Sequence, residues 1–389
     1  MPYDICENSI FLKQRQKSDL NEQFQELATA LNSNYSQNGI DACIYLSGSL
    51  ARQEASALIS SNGQATLYSD IDLVIIPTKS YEDHEIVVNT ARWLCDMFPT
   101  IKSTAQIIPF NTVTYAESAF ARDIALKQDF PLYSTLPPIY LGSKRVNKRD
   151  CFEAIIHQIS GYILNWERLI RTNNKSDIFR GDLQYHYIKL VLECLRSQFF
   201  NDGDFVTGYF DVYHQRYDPR LTSLIKPEEI EQFIKSRELF GYAEAPQLDI
   251  IPFIQKSLTR LIGLPVSEFS HIHEIYSAHT KLKEISKDVI HCYPLVMSLV
   301  IFGLDKPLKD RLELSNLATN IIEEMDKANI GTTLKEELKE LCELFKSNNE
   351  LIMERIFNCL RSFQKEYLNH LADRNSGVTS QQSYLGLTV

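Results

Sequence analysis

Two aspartates one residue apart, Asp70 and Asp72, lead directly into the apolar run Leu73-Val74-Ile75-Ile76. Such a run reads as a strand in a largely covered sheet, because nothing polar breaks it. Side chains alternate faces along a strand, so the two carboxylates share one face with Cα atoms about 7 Å apart, at roughly 3.4 Å per residue. Two like charges beside an apolar run are costly unless something positive lies between them. A divalent metal answers that requirement, and hard carboxylate oxygens suit Mg2+, with Mn2+ as an alternative. Upstream, the run Ile44-Tyr45-Leu46 ends at Gly48-Ser49. Glycine there has no side chain to block an anion, a helix beginning after it offers free N–H groups, and Ser49 adds a hydroxyl donor. Arg52 follows within one turn and can meet a phosphate.

The elements that must position these residues follow from periodicity. A helix is expected with Leu20, Phe24, Leu27 and Leu31 on one face, then the strand Ile44 to Leu46, the Gly-Ser turn and a short helix from about Ala51. A hairpin from Ala57 to Tyr68 turns at Asn62-Gly63. The Asp-bearing strand, a helix over about Glu82 to Met97 and a strand near Thr104 to Pro109 complete an α+β module over residues 10–145. From residue 146 to 374 helical patterns dominate, with a subdivision near 264–268. Ile155, Ile159, Ile163, Trp166 and Ile170 form one stripe; Leu183, Tyr187, Leu190, Val191 and Cys194 form another. Further helices are expected at about 227–239, 248–262, 269–301, 307–328 and 333–371, the last carrying Leu334, Leu338, Leu341 and Leu344 as a packing stripe. Residues 200–220 read as an irregular aromatic loop and 375–389 as a flexible tail. His271 and His273, two apart on an expected helix, face different ways and suit structure better than one zinc.

A strand ending in Gly48-Ser49, a short helix, and a strand carrying Asp70-Ile71-Asp72 together resemble the nucleotidyltransferase superfamily of DNA polymerase β type, over roughly residues 20–110. "GSLAR" followed by "SDIDLVII" carries the resemblance. It implies a mixed-sheet module followed by a mainly helical region. Asp70 and Asp72 would be the catalytic metal ligands, while Gly48, Ser49 and Arg52 would bind the triphosphate. Lys189, from the helix "LQYHYIKLVLECLRSQFF", would reach the phosphates from the helical region. Three features depart from the pattern. Twenty residues separate Ser49 from Asp70, about twice the usual spacing, and the hairpin accounts for the excess. Gln53 stands where related sequences often carry glycine. Gln106 stands where many members place a third carboxylate, so turnover would be slow, or would depend on a nearby acid such as Glu54 or on a carboxylate brought by the helical region.

The chain has 389 residues, a formal net charge of -10, 44% hydrophobic and 23% charged residues, and a pI near 5.5. This is the composition of an ordinary folded protein, long enough for two or three domains. The acidic balance disfavours nucleic acid as a partner. Eight cysteines without a paired spacing suit reduced thiols in a cytoplasm. No signal peptide or membrane span is expected, since the run from Cys292 to Gly303 falls short of the roughly 20 apolar residues a bilayer requires. The expected activity is transfer of a nucleoside monophosphate from a nucleoside triphosphate, ATP first, to a small-molecule or protein acceptor, with release of pyrophosphate. The alternative is a nucleotide- or partner-binding protein on a transferase fold that has lost catalysis. The acceptor, the base and the oligomeric state are not written in the sequence.

Overall fold

A computed structural model describes residues 3–77, 84–97, 103–107, 123, 130–135, 177–199, 208–262 and 332–346, with scattered helical residues over 151–165 and 315–326 and at 358 and 362. These form two compact units. The described residues of the first fall within Met1–Asn147 and Phe205–Pro246, and those of the second within Lys148–Asp204 and Gln247–His370. The architecture is mixed α/β.

The first unit opens with α1 (Gln14–Gln37), whose Leu20, Phe24, Leu27 and Leu31 are all buried. Their spacing of three and four residues puts them on one helical face, and each such burial contributes about 2 kcal/mol. They join Ile44 and Leu46 of β1 (Ala42–Ser47) and Ile71, Leu73 and Ile75 of β4 (Ile71–Pro77) in one core cluster. Cys43 and Tyr45, on the opposite face of β1, are buried as well, so the strand is covered on both sides as an unbroken apolar run requires.

Between these strands lie α2 (Gly48–Ala51), β2 (Ala57–Ile59) and β3 (Ala65–Leu67). Next come α3 (His84–Met97), β5 (Ser103–Ile107) and β6 (Tyr133–Ser134). One sheet has the order β5-β4-β1-β6. β1 runs antiparallel to both β4 and β6, and β4 runs parallel to β5. The expected hairpin is present, with β2 and β3 antiparallel and Gly63 at φ 82° in its turn. That left-handed backbone is what glycine adopts without penalty.

Two features depart from expectation. The short helix begins at Gly48 itself and ends at Ala51, one turn earlier than the pattern suggested, because Arg52 N–H closes it onto the Gly48 carbonyl. Residues 200–220 are not simply a loop. They include α5 (Tyr209–His214) and α6 (Pro219–Thr222), the second capped by the Asp218 carboxylate on Arg220 N–H and started by a proline. After α7 (Pro227–Glu238), β7 (Leu239–Phe240) adds in parallel beside β2, giving a second sheet of order β3-β2-β7.

In the second unit, α4 (Asp177–Gln198) is buried all round from Leu190 to Gln198, wider than the single stripe read from its sequence, because α8 (Ile250–Ile262) packs on it and Gln198 reaches the Ser257 carbonyl. Within α9 (Thr332–Lys346), Leu338 and Leu341 are buried. No described helix is long and apolar enough to cross a membrane. His271, His273 and the helices expected over 269–301 lie outside the described residues.

Candidate functional site

The site forms where β1 and β4 meet α2. Register places Ser47, the last residue of β1, opposite Asp72. Directly opposed residues of an antiparallel pair share a face, so Ser47 and Asp72 lie on one side of the sheet beside the Gly48 turn. Asp72 is half-buried within β4, and Asp70, also half-buried, stands immediately before the strand, which starts at Ile71. Both residues are thus partly exposed, while the strand beyond them is buried. The Ser47 hydroxyl is buried with no hydrogen-bond partner among the described residues.

Gly48 is required here twice over. Its φ is +64°, a conformation that costs an L-residue roughly 1–2 kcal/mol. A Cβ at this position would also collide with the Asp72 carboxylate, falling 3.0 Å from its Cγ. The backbone and the carboxylate therefore approach more closely than any side chain would allow. Gln53 has the same left-handed backbone, at φ 64°, which explains why glycine suits this position. In glycine's place, its Nε2 donates to the Asp4 carbonyl at 3.0 Å and to Glu7 Oε2 at 2.8 Å.

Asp123 is the residue that sequence reasoning missed. Its Oδ2 accepts from Gly48 N–H at 3.0 Å and from Arg52 Nη1 at 2.8 Å. Only the fold brings it 75 residues along the chain to this turn, and an isolated aspartate carries no motif that could have announced it. Arg52, expected to meet a phosphate, instead links two carboxylates, since its Nε also donates to Glu54 Oε2 at 3.1 Å.

Glu54 is similarly committed. Its Oε1 accepts from Phe210 N–H in the first turn of α5 at 2.9 Å, and a Cβ on Gly208 would lie 2.6 Å from its Cδ, so glycine is needed for the approach. The Glu54 carbonyl accepts from Arg237 Nη1 at 2.8 Å. Arg237 is fully buried, with its guanidinium 4.6 Å from the Tyr209 ring centroid. Arg52 lies 5.8 Å from the same centroid, within the usual range for a cation over an aromatic face. Next to it, both oxygens of Glu238 accept from Ile10 and Phe11 N–H, at 2.9 and 2.6 Å. Burial pushes the Glu238 carboxyl up to about 7, against the opposing pull of those two N–H groups and of Arg237. A buried polar network thus braces the Gly48 turn from α5, α7 and the N-terminal segment.

The remaining expected residues fall as follows. Ser49 is the second residue of α2 and half-buried. Lys189 belongs to α4 in the second unit, where its ammonium lies 5.0 Å from the Tyr185 ring centroid. In β5, Thr104 is the register partner of Asp72, and Gln106 pairs with Val74. Gln106 is therefore two residues, about 7 Å, beyond the level of Asp72. The expectation that it fills a third-carboxylate position is displaced by that register, and "STAQI" offers no acid at the correct level. Among the described residues no group of three or more His, Cys, Asp or Glu side chains is arranged to hold a metal ion. Comparison with known proteins returns no matching family model, no matching curated protein and no matching solved structure.

Proposed function

We propose that this chain is a metal-dependent nucleotidyltransferase that moves a nucleoside monophosphate from a nucleoside triphosphate, ATP first, to a small-molecule or protein acceptor. One observation carries the reading: the left-handed Gly48 turn presses its backbone against the Asp72 carboxylate, in a space that a Cβ would fill. The Asp72 carboxylate itself fills that space, so an ion held on it would lie directly against the turn. The Ser47 hydroxyl, on the strand position opposite Asp72, is a further buried polar group without a hydrogen-bond partner among the described residues.

Asp70 and Asp72 would hold Mg2+ or Mn2+, and two carboxylates completed by substrate phosphates are an ordinary ligand set for Mg2+. A bound ion would supply neutralisation of the charge on the phosphates. Gly48 N–H and Arg52 Nη1, which hold Asp123 Oδ2 in this structure, would turn to phosphate oxygens, and Ser49 would add a hydroxyl. These residues fix the α-phosphorus in line with an acceptor hydroxyl or phosphate, and pyrophosphate leaves. Positioning and charge stabilisation are the main tasks that phosphoryl chemistry sets a protein.

A second reading is favoured by β5, which brings no acid level with Asp72. On that reading the chain binds a nucleotide or a partner without turnover. Calorimetric binding and pyrophosphate release with ATP, GTP, CTP and UTP, each with and without Mg2+ or Mn2+, separate the two. Metal-dependent pyrophosphate release supports the transferase. Tight metal-dependent binding with no release supports the binding protein, and neither result would refute both.

A further inference from the structure

The donors that a phosphate oxygen would need at the Gly48 turn already hold an anionic oxygen. Gly48 N–H and Arg52 Nη1 converge on one atom, Asp123 Oδ2, at 3.0 and 2.8 Å. Asp123 is only 5% exposed, so this oxygen has exchanged water for two protein donors, one of them charged. Guanidinium with backbone N–H is a donor set equally suited to carboxylate and to phosphate.

We propose, resting on the nucleotidyltransferase reading, that Asp123 Oδ2 occupies the anion subsite of the Gly48 turn in the unliganded protein, and that a phosphate of the nucleotide binds by exchanging with it. Gly48 N–H and Arg52 Nη1 pass from the carboxylate to a phosphate oxygen, and no covalent bond changes. Arg52 does not swing free during the exchange. Its Nε stays on Glu54 Oε2 at 3.1 Å, and Glu54 is itself pinned by Phe210 N–H at 2.9 Å. One edge of the guanidinium is thus a fixed pivot, while the other presents its donor to whichever anion is there. The subsite takes the polyphosphate class of ligand, and its affinity is set by competition with an internal carboxylate.

The competing possibility is that Asp123 only braces the turn, and the two differ in sign. A brace, once removed, loosens the donors and weakens anion binding; a competitor, once removed, strengthens it. The probe is inorganic tripolyphosphate in EDTA, titrated calorimetrically into the full chain. Asp123→Ala should bind it at least tenfold more tightly than the wild type, and Asp123→Asn, which keeps the shape but lacks the charge, at least threefold more tightly. Adding Arg52→Gln to either variant should remove the gain. Unchanged or weaker binding in a variant whose thermal unfolding shows it folded overturns the exchange, and Asp123→Asn decides alone if the alanine variant does not fold. Pyrophosphate release by the wild type is measured in parallel. A tripolyphosphate gain without any release keeps the subsite and rejects the transferase, whereas release without a gain does the reverse.

Discussion

Gly48→Ala tests the close approach on which the site depends, and the molecule contains its own controls. Gly39 and Gly63 are also left-handed, at φ 61° and 82°, and a Cβ on either meets nothing within 4 Å. Alanine at those two positions carries only the backbone penalty of roughly 1–2 kcal/mol, partly offset by about 0.4–1 kcal/mol from a less flexible unfolded chain. About 1 kcal/mol net is expected. At Gly48 the new methyl would also lie 3.0 Å from Asp72 Cγ and 3.3 Å from its Cβ. Turning the carboxylate plane does not clear those atoms, so χ1 must leave its well, at about 0.5–1.5 kcal/mol more. The total is then about 2 kcal/mol. For a unit of this size, thermal unfolding should fall by roughly 2–4 °C in each control and by about twice that in Gly48→Ala. Calorimetric titration with Mn2+ supplies the second readout: Gly48→Ala should lose binding because Asp72 has been displaced, and both controls should keep it. If Gly48→Ala matches Gly39→Ala in both stability and metal binding, the close approach does not exist in solution and the cradle falls with it.

Asp70→Asn and Asp72→Asn should each abolish Mg2+-dependent pyrophosphate release while thermal unfolding in EDTA shifts little; full turnover by Asp72→Asn at limiting Mg2+ contradicts the metal assignment. Gln53→Gly should stay within about 1 kcal/mol of the wild type in urea unfolding, since relief of left-handed strain is offset by a more flexible unfolded chain and the loss of two exposed side-chain hydrogen bonds; a larger destabilisation would show that those bonds hold the N-terminal segment. Glu238 is a carboxyl whose folded pKa is raised, so the folded state holds its proton at a pH where the unfolded chain has released it. Its contribution is fully present below about 4.5, the ordinary value, and declines as pH rises towards about 7. The wild type should therefore lose on the order of 3 kcal/mol relative to Glu238→Gln over that window, with no further change above it; a difference that stays constant from about pH 4.5 to 7 would show that Glu238 titrates normally.

Local pattern determined a good deal of this protein. The stripe Leu20, Phe24, Leu27 and Leu31 could only be one helical face, and Leu73 to Ile76 could only be a strand covered on both sides. Asn62-Gly63 between short β-prone runs announced the hairpin, and Gly48 was legible as a turn between strand and helix because its neighbours on both sides read as regular elements. Tertiary structure decided what depends on distant segments meeting. Parallel pairing of β4 with β5 set Thr104, and not Gln106, beside Asp72, because register is fixed by packing across strands and not by either strand alone. The same is true of Asp123 at Gly48, of Glu54 at the start of α5, and of β7 beside β2. Each is a pairing of buried polar groups or strand edges whose partner lies tens of residues away or more, and a buried donor or acceptor finds its partner only when the whole unit closes.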